Sequence, residues 1–373
     1  MRGMDAPSPA PPDGAEALLR RVLALCAPTR PGAGTREATA GPDVPAHRLE
    51  HALRWLDQPG HHLLGRDDPR YPPLLRETAG APLALFVDGD PDLLWQPSVA
   101  IVGSRCASAG GREHARAFAT ALCGAGIAVT SGMAAGIDAA AHEGALAAPG
   151  GRTVAVLGTG PDLAYPPHLA GLRDRIAATG AVASEHPPGT PGRPWHFPAR
   201  NRIIAGLALG TVVVEAALRS GALITARQAA EAGREVFAIP GSIHHPLARG
   251  CHRLIRDGAQ LVEHPDEVLA GIAPLAGRLA LSLSAADPPR TRIHTGHAGV
   301  RKGRRAGATD HDRLWNALGH DPIPMDVLVE RTGLTPAALS PMLLAMELDG
   351  RVVVEHGRYS RSSAGGRPAG RCG

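Results

Sequence analysis

A doubly wound, parallel α/β sheet of Rossmann-like type is predicted for residues 76–272, and three observations predict it. First, short apolar runs recur from 97 onward: SVAIVG (98–103), IAVTSG (127–132), TVAVLGTG (153–160), AVASE (181–185), TVVVEA (211–216), EVFAIPG (235–241) and AQLVE (259–263). Second, Ala/Leu-rich stretches of helical period, such as GREHARAFATALCGAG and ITARQAAEAG, lie between most of them. Third, the runs are almost continuously apolar rather than alternating, as strands are when helices cover both faces of a parallel sheet.

The other segments follow in order. Residues 1–14 are rich in Pro, Ala and Gly and read as a disordered tail. Residues 15–75 read as a small helical domain: AEALLRRVLALC and HRLEHALRWL flank a Gly/Pro-rich stretch at 28–45. The segment 71–90 reads as a helical turn followed by a strand. Residues 273–310 lose the periodicity and are rich in Arg, Gly and Pro, as a linker is. Its RKGRR cluster (301–305) reads as a solvated charge run that could touch phosphates. Residues 311–361 give helix, helix, tight Gly turn, helix and hairpin, the order of a winged helix-turn-helix. Its third helix opens with Thr335 as N-cap and Pro336 at the first helical position. Residues 362–373 read as a second tail.

Composition narrows the function. The net charge of +4 is mildly basic and permits an anionic partner without demanding one. Lys302 is the only lysine, so Arg carries almost all the positive charge. Arg suits phosphate and base stacking, although a GC-rich coding sequence accounts for most of the bias. Lys302 lacks a P-loop context, which excludes a Walker-type nucleotide site, a protein-kinase site and Schiff-base chemistry. A dinucleotide fingerprint fails because Leu163 stands where the third glycine after Gly158 and Gly160 belongs. His244, His245 and His252 lack a carboxylate spaced to complete a metal site and read as loop or packing histidines. No cofactor is expected. The five scattered cysteines form no C-x-x-C pair, a reduced pattern. The N-terminus carries no apolar signal segment and no run is long enough to span a membrane, so a cytoplasmic location is expected.

In such a sheet, ligands bind beyond the carboxyl ends of the strands. Four turns there are small and open helices: Gly103-Ser104-Arg105, Ser131-Gly132 through Gly136, Gly158-Thr159-Gly160, and Arg219-Ser220-Gly221 leading to Thr225. Glycine allows close backbone approach, and free amides at helix starts favour anions. Any one such turn is ordinary punctuation; four together describe a phosphate-binding rim. The segment Trp195-His196-Phe197-Pro198-Ala199-Arg200-Asn201-Arg202 adds two aromatics and two arginines. Aromatics stack on exposed bases and Arg pairs with phosphate. The alternative is that Arg200 and Arg202 pair with Glu185 or Glu215.

At these residues the chain resembles the DNA-processing protein A (DprA, or Smf) family. The matching motifs are VAIVGSRCASAGG, SGMAAGIDAAAH, VAVLGTGPDLAYP, SEHPPGTPGRPWHFPARNRIIAGL, VVVEAALRSGALITARQA and VFAIPGSIHHPLARGCHRLIRDGAQLVE, in family order over roughly 165 residues. The resemblance implies a non-catalytic protein of natural transformation. It would bind single-stranded DNA with little sequence preference, load RecA recombinase onto it, and form a homodimer through the Rossmann-like domain. The expected DNA-binding residues are Gly103, Ser104, Arg105, Ser131, Gly132, Phe197, Arg200, Asn201, Arg202, Ser220, Gly221 and Thr225. Arg105, Phe197 and Arg202 are expected on one face. The chain departs from the family pattern at Ala135 (often basic), Leu169 (often Asn) and His252 (often Asn). Two other functions compete. A nucleotide N-glycosidase of the LOG type would use Glu215, but the chain lacks its PGGxGT-type loop before that carboxylate. A transcriptional regulator would act through the winged helix.

Overall fold

Residues 13–26, 44–284, 310–349, 351–355 and 358–362 are described by the computed structural model. Residues 1–12 and 363–373, most of the 28–45 stretch and the RKGRR cluster lie outside them; Asp13 and Gly14, read as tail, begin a helix.

Apolar side chains at a helical spacing put α1 (Asp13–Leu25) and α2 (Ala46–Leu56) on a small core with Trp55 and Phe86. Strand β1 (His61–Gly65) follows, then the single turn α3 (Pro73–Arg76) and β2 (Ala84–Gly89). β1 corrects the helical reading of 15–75: it pairs antiparallel with β2, Leu63 opposite Phe86. Five residues are too few for a stable helix, and pairing covers an edge that β2 would otherwise expose.

The seven predicted parallel strands are β3 (Ser98–Val102), β4 (Ala128–Ser131), β5 (Thr153–Leu157), β6 (Ala181–Ser184), β7 (Gly210–Val213), β8 (Glu235–Ala238) and β9 (Gln260–Leu261). Helices α4 (Ala109–Gly124), α5 (Ile137–Ala147), α6 (Ala170–Thr179), α7 (His196–Leu207), α8 (Ala222–Glu231), α9 (Arg249–Arg256) and α10 (Pro265–Ser284) accompany them. The sheet order is β1-β2-β6-β5-β4-β3-β7-β8-β9, so the direction of winding reverses between β3 and β7. Alternate residues face opposite sides. Val99 and Ile101 pack under α4, α5 and α10, whereas Ala100 and Val102 pack under α7 and α8. Both faces are therefore buried, which is why the strands read as continuous apolar runs.

α10 shortens the predicted linker. Residues 273–284 continue this helix, and Val268, Ile272 and Leu279 are buried on one stripe. Pro274, inside the helix, obscured the period. The linker reading beyond 284 falls outside the described residues until α11.

The C-terminal module holds α11 (Asp310–Ala317), β10 (Ile323–Pro324), α12 (Met325–Thr332), α13 (Pro336–Leu348), β11 (Val352–Glu355) and β12 (Arg358–Arg361). Gly333 closes α12 at φ +70°, and the Thr335 hydroxyl caps α13 by accepting from the Ala338 amide at 3.3 Å. This is a winged helix. No Lys or Arg lies on α13, the helix such a fold lays in a DNA groove. Arg331 donates a two-pronged pair of hydrogen bonds to Glu113 on α4 (2.9 and 2.6 Å), and His320 stacks on His245 (4.9 Å between centroids). No described helix is long and apolar enough to cross a membrane. Among the described residues, Cys26, Cys123 and Cys251 are free thiols.

Candidate functional site

The turn after β3 is clamped from two sides. The Ser104 amide donates to Glu215 O (2.7 Å) and Ser104 O accepts from the Ile137 amide (3.2 Å). Gly103 has no room for a side chain: a Cβ would stand 2.6 Å from Ile137 and 2.9 Å from Glu215 O. The Ser104 hydroxyl accepts from the Cys106 amide (3.2 Å), which tightens the turn. Arg105 emerges exposed from this rigid base, its guanidinium carbon 5.6 Å from the centre of the Phe197 ring.

Phe197 lies in the first turn of α7. Its ring packs on exposed Tyr165, 4.9 Å between centroids, and against the backbone of Gly158. Arg105 and Tyr165, from two separate loops, and Phe197, from the start of α7, thus line one cleft of about 220 Å³, with Ala134 and Ala135 also on its wall. The cleft lies beyond the carboxyl ends of β3, β4 and β5, one strand from the reversal point.

Arg200 forms part of the cleft wall but is 4% exposed. It donates to Gly132 O at 2.6 Å and to Val156 O, and its Nε donates to Asn201 (3.3 Å). Burial lowers its pKa to about 10, against the attraction of Asp138. The guanidinium is committed to the wall, and neither Glu185 nor Glu215 is its partner. Asn201 turns away and donates to Gly221 O (3.4 Å). Arg202 does take the carboxylate alternative: it grips Glu185 at 2.8 and 2.6 Å and donates to Gly80 O at 2.9 Å. The expected grouping of Arg105, Phe197 and Arg202 therefore holds for the first two only. At 100° per residue, α7 cannot present residues 200, 201 and 202 to one cleft.

The remaining predicted residues divide similarly. Gly132 packs against the Arg200 guanidinium and lines the cleft. Ser131 is fully buried and donates to Ile101 O (2.6 Å), so its hydroxyl ties two strands together. The Ser220 hydroxyl accepts from the Ala222 amide (3.3 Å) in the turn before α8, Gly221 is exposed at that helix start, and Thr225 is buried. Tyr165 was legible as a rare aromatic after β5, yet nothing local marked it as the partner of Phe197. Of the departures, Ala135 takes a cation from the cleft wall, Leu169 packs in a hydrophobic cluster, and His252 hydrogen-bonds Gly241 O (3.0 Å).

Glu215 occupies the reversal point itself. Its carboxylate accepts from the Ser108 amide (2.9 Å), the Ser108 hydroxyl (2.5 Å) and His245 Nε2 (2.9 Å). Burial raises its pKa, but the hydrogen bonds from His245 and Ser108 outweigh that and hold it below the ordinary value. It joins three loops.

Beneath the cleft, Asp138 accepts from the Ala134 amide (3.4 Å). Burial raises its pKa from 3.8 to about 6, with the Arg200 charge pulling the other way. A carboxyl whose folded pKa is the higher one stabilises the fold fully below its unfolded pKa, and this is lost as pH rises through the folded pKa. Urea unfolding between pH 4 and 7 is expected to show that loss in the wild type and not in Asp138→Asn. A stability difference between the two that stays constant across this window would remove the assignment.

Residues 62–273 match the family described as DNA recombination-mediator protein A, and residues 302–358 match the DprA winged helix domain. The chain is 39% identical to Protein Smf of Escherichia coli (strain K12) over 331 residues, covering 88% of this chain and 85% of that protein. It is 49% identical to DNA processing protein DprA of Streptococcus pneumoniae over 203 residues, 54% of this chain and 71% of that one. The X-ray structure of the S. pneumoniae protein superposes with a TM-score of 0.56 at 46% identity, covering 59% of this chain and 77% of that one. DNA processing protein A from Helicobacter pylori, whose structure is described for its single-stranded DNA binding mode, superposes with a TM-score of 0.50 at 27% identity. That alignment covers 56% of this chain and 94% of that one.

Proposed function

The chain belongs to the DNA recombination-mediator protein A family, and from that premise we propose that it binds single-stranded DNA through the cleft of Arg105, Phe197 and Tyr165. The observation that carries the reading is the alignment of a guanidinium and two rings on a rigid rim of strand-end turns. Bases freed from a duplex stack on such rings for about 1–3 kcal/mol each, whatever their sequence, and an exposed Arg neutralises phosphate. Ring faces offer little to distinguish one base from another, so the binding is sequence-tolerant. Gly103 and Gly132 let the rim turns pack directly on Ile137 and on the Arg200 guanidinium, which fixes the rim in place.

The reading is non-catalytic. Glu215, the carboxylate that a nucleotide N-glycosidase would use, is held by Ser108 and His245 with its side chain 9% exposed. Release of free base from nucleoside monophosphates would overturn this part. Loading of a RecA recombinase, a role in natural transformation, dimerisation through the Rossmann-like domain and a cytoplasmic location complete the proposal. They are supported by family membership alone.

The test is fluorescence anisotropy with oligo-dT across a salt series, with duplex DNA as competitor. Arg105→Ala and Phe197→Ala are each expected to weaken binding about tenfold. The log–log salt slope should fall by about 0.7 in Arg105→Ala and stay unchanged in Phe197→Ala. Arg202→Ala should leave the slope near wild type, because Glu185 already neutralises it. Wild-type affinity in both cleft variants, or equal competition by duplex, would sink the reading.

A further inference from the structure

Trp195 is 63% exposed, an unusual position for the largest apolar side chain. It occupies the N-cap of α7, two residues before Phe197. Its surroundings are rigid. The next residue, His196, is anchored to Gly158 O through Nδ1 (3.0 Å), stacks on His186 (4.0 Å) and sets its ring edge-on to Trp195 at 6.0 Å. The loop before it is pinned where Gly160 N donates to Thr190 O (2.9 Å), and Gly192 packs on Phe197, Thr159 and Tyr165. That loop therefore backs the Tyr165–Phe197 pair and carries Trp195 on its far end, next to the start of α7. Arg193 sets its guanidinium carbon 5.6 Å from the Trp195 ring centroid. This repeats the Arg105–Phe197 pairing outside the cleft.

We infer that Trp195 and Arg193 form a second stacking platform, which takes one nucleobase of a single strand as it leaves the cleft, with Arg193 on the adjoining phosphate. This rests on the single-strand reading of the cleft itself. A nucleobase is the occupant that fits both members of the pair: it offers a π face to the indole, and its phosphate offers a charge opposite to that of Arg193. The platform continues the cleft along the chain, and so lengthens the strand that the protein can hold.

The experiment uses the full chain and dT oligonucleotides of increasing length. The difference in emission between the wild type and Trp195→Phe isolates the Trp195 signal from the other tryptophans. It is expected to be quenched on binding. Trp195→Ala should weaken binding of long oligonucleotides about tenfold and leave short ones, which fill only the cleft, near wild type. Trp195→Phe should keep most of the affinity, and Arg193→Ala should lower the salt slope by about 0.7. Phe197→Ala serves as the control for the cleft and should weaken every length. Wild-type affinity in Trp195→Ala with unquenched emission, while Phe197→Ala is weak, would overturn the platform and spare the cleft. A Trp195→Phe variant as weak as Trp195→Ala would also overturn it, because stacking would not be the cause. So would a change of oligomeric state in Trp195→Ala without loss of binding, which would assign the ring to a protein contact. Wild-type binding in Phe197→Ala would bring down the cleft reading and the platform with it.

Discussion

Arg200→Met is expected to destabilise the protein by about 3–5 kcal/mol in urea unfolding, far more than Arg105→Ala or Phe197→Ala. Three losses combine. Gly132 O and Val156 O each lose a buried donor, and an unsatisfied buried carbonyl costs about 1–3 kcal/mol. Asp138 loses the nearby positive charge that opposes its desolvation. The double variant Asp138→Asn/Arg200→Met removes that last loss, so it should be more stable than Arg200→Met alone by at least about 1 kcal/mol. DNA binding by folded Arg200→Met should fall as well, since the guanidinium is part of the cleft wall. A destabilisation under about 1 kcal/mol would mean that Arg200 is not the internal tie described above.

Gly136→Ala is expected to cost about 3 kcal/mol or more and to displace Arg105. Gly136 has φ +84° and ψ −121°, outside the range of ordinary L-residues. A Cβ would stand 2.6 Å from Arg105 O and nearer still to Ser104 O, both backbone atoms that no rotamer change can move. Relief requires the 103–105 turn to shift, and that turn positions Arg105 over Phe197. Oligo-dT affinity should therefore fall at least as far as in Arg105→Ala. Gly150→Ala separates the two causes. Gly150 has a positive φ of +66° but nothing within 4 Å, so alanine there should cost only about 1–2 kcal/mol and leave DNA binding alone. Equal stability losses in the two alanine variants would rule out the backbone clash.

Much of this protein was legible in the linear chain because its determinants are local. Strands buried on both faces become apolar runs, and the period changes to 3.6 wherever a helix must cover them, so the sheet could be read from β3 to β9. Parallel connection places every βα turn at one edge, which identified the rim and the GSR and FPARNR segments. α10 was hidden only because Pro274 interrupts a stripe that Leu279 continues.

Contacts between distant segments were decided by the tertiary structure. Helical rotation distributes adjacent residues of α7 to different neighbours, which sends Arg200 into the cleft wall and Arg202 to Glu185. Tyr165 meets Phe197 only because the loop after β5 and the start of α7 converge. Glu215 is held by Ser108, 107 residues earlier, and by His245, 30 residues later. Periodicity reports which face of an element is buried. It carries no information about which side chain from another element waits there, and that pairing determines whether an arginine meets solvent or a carbonyl.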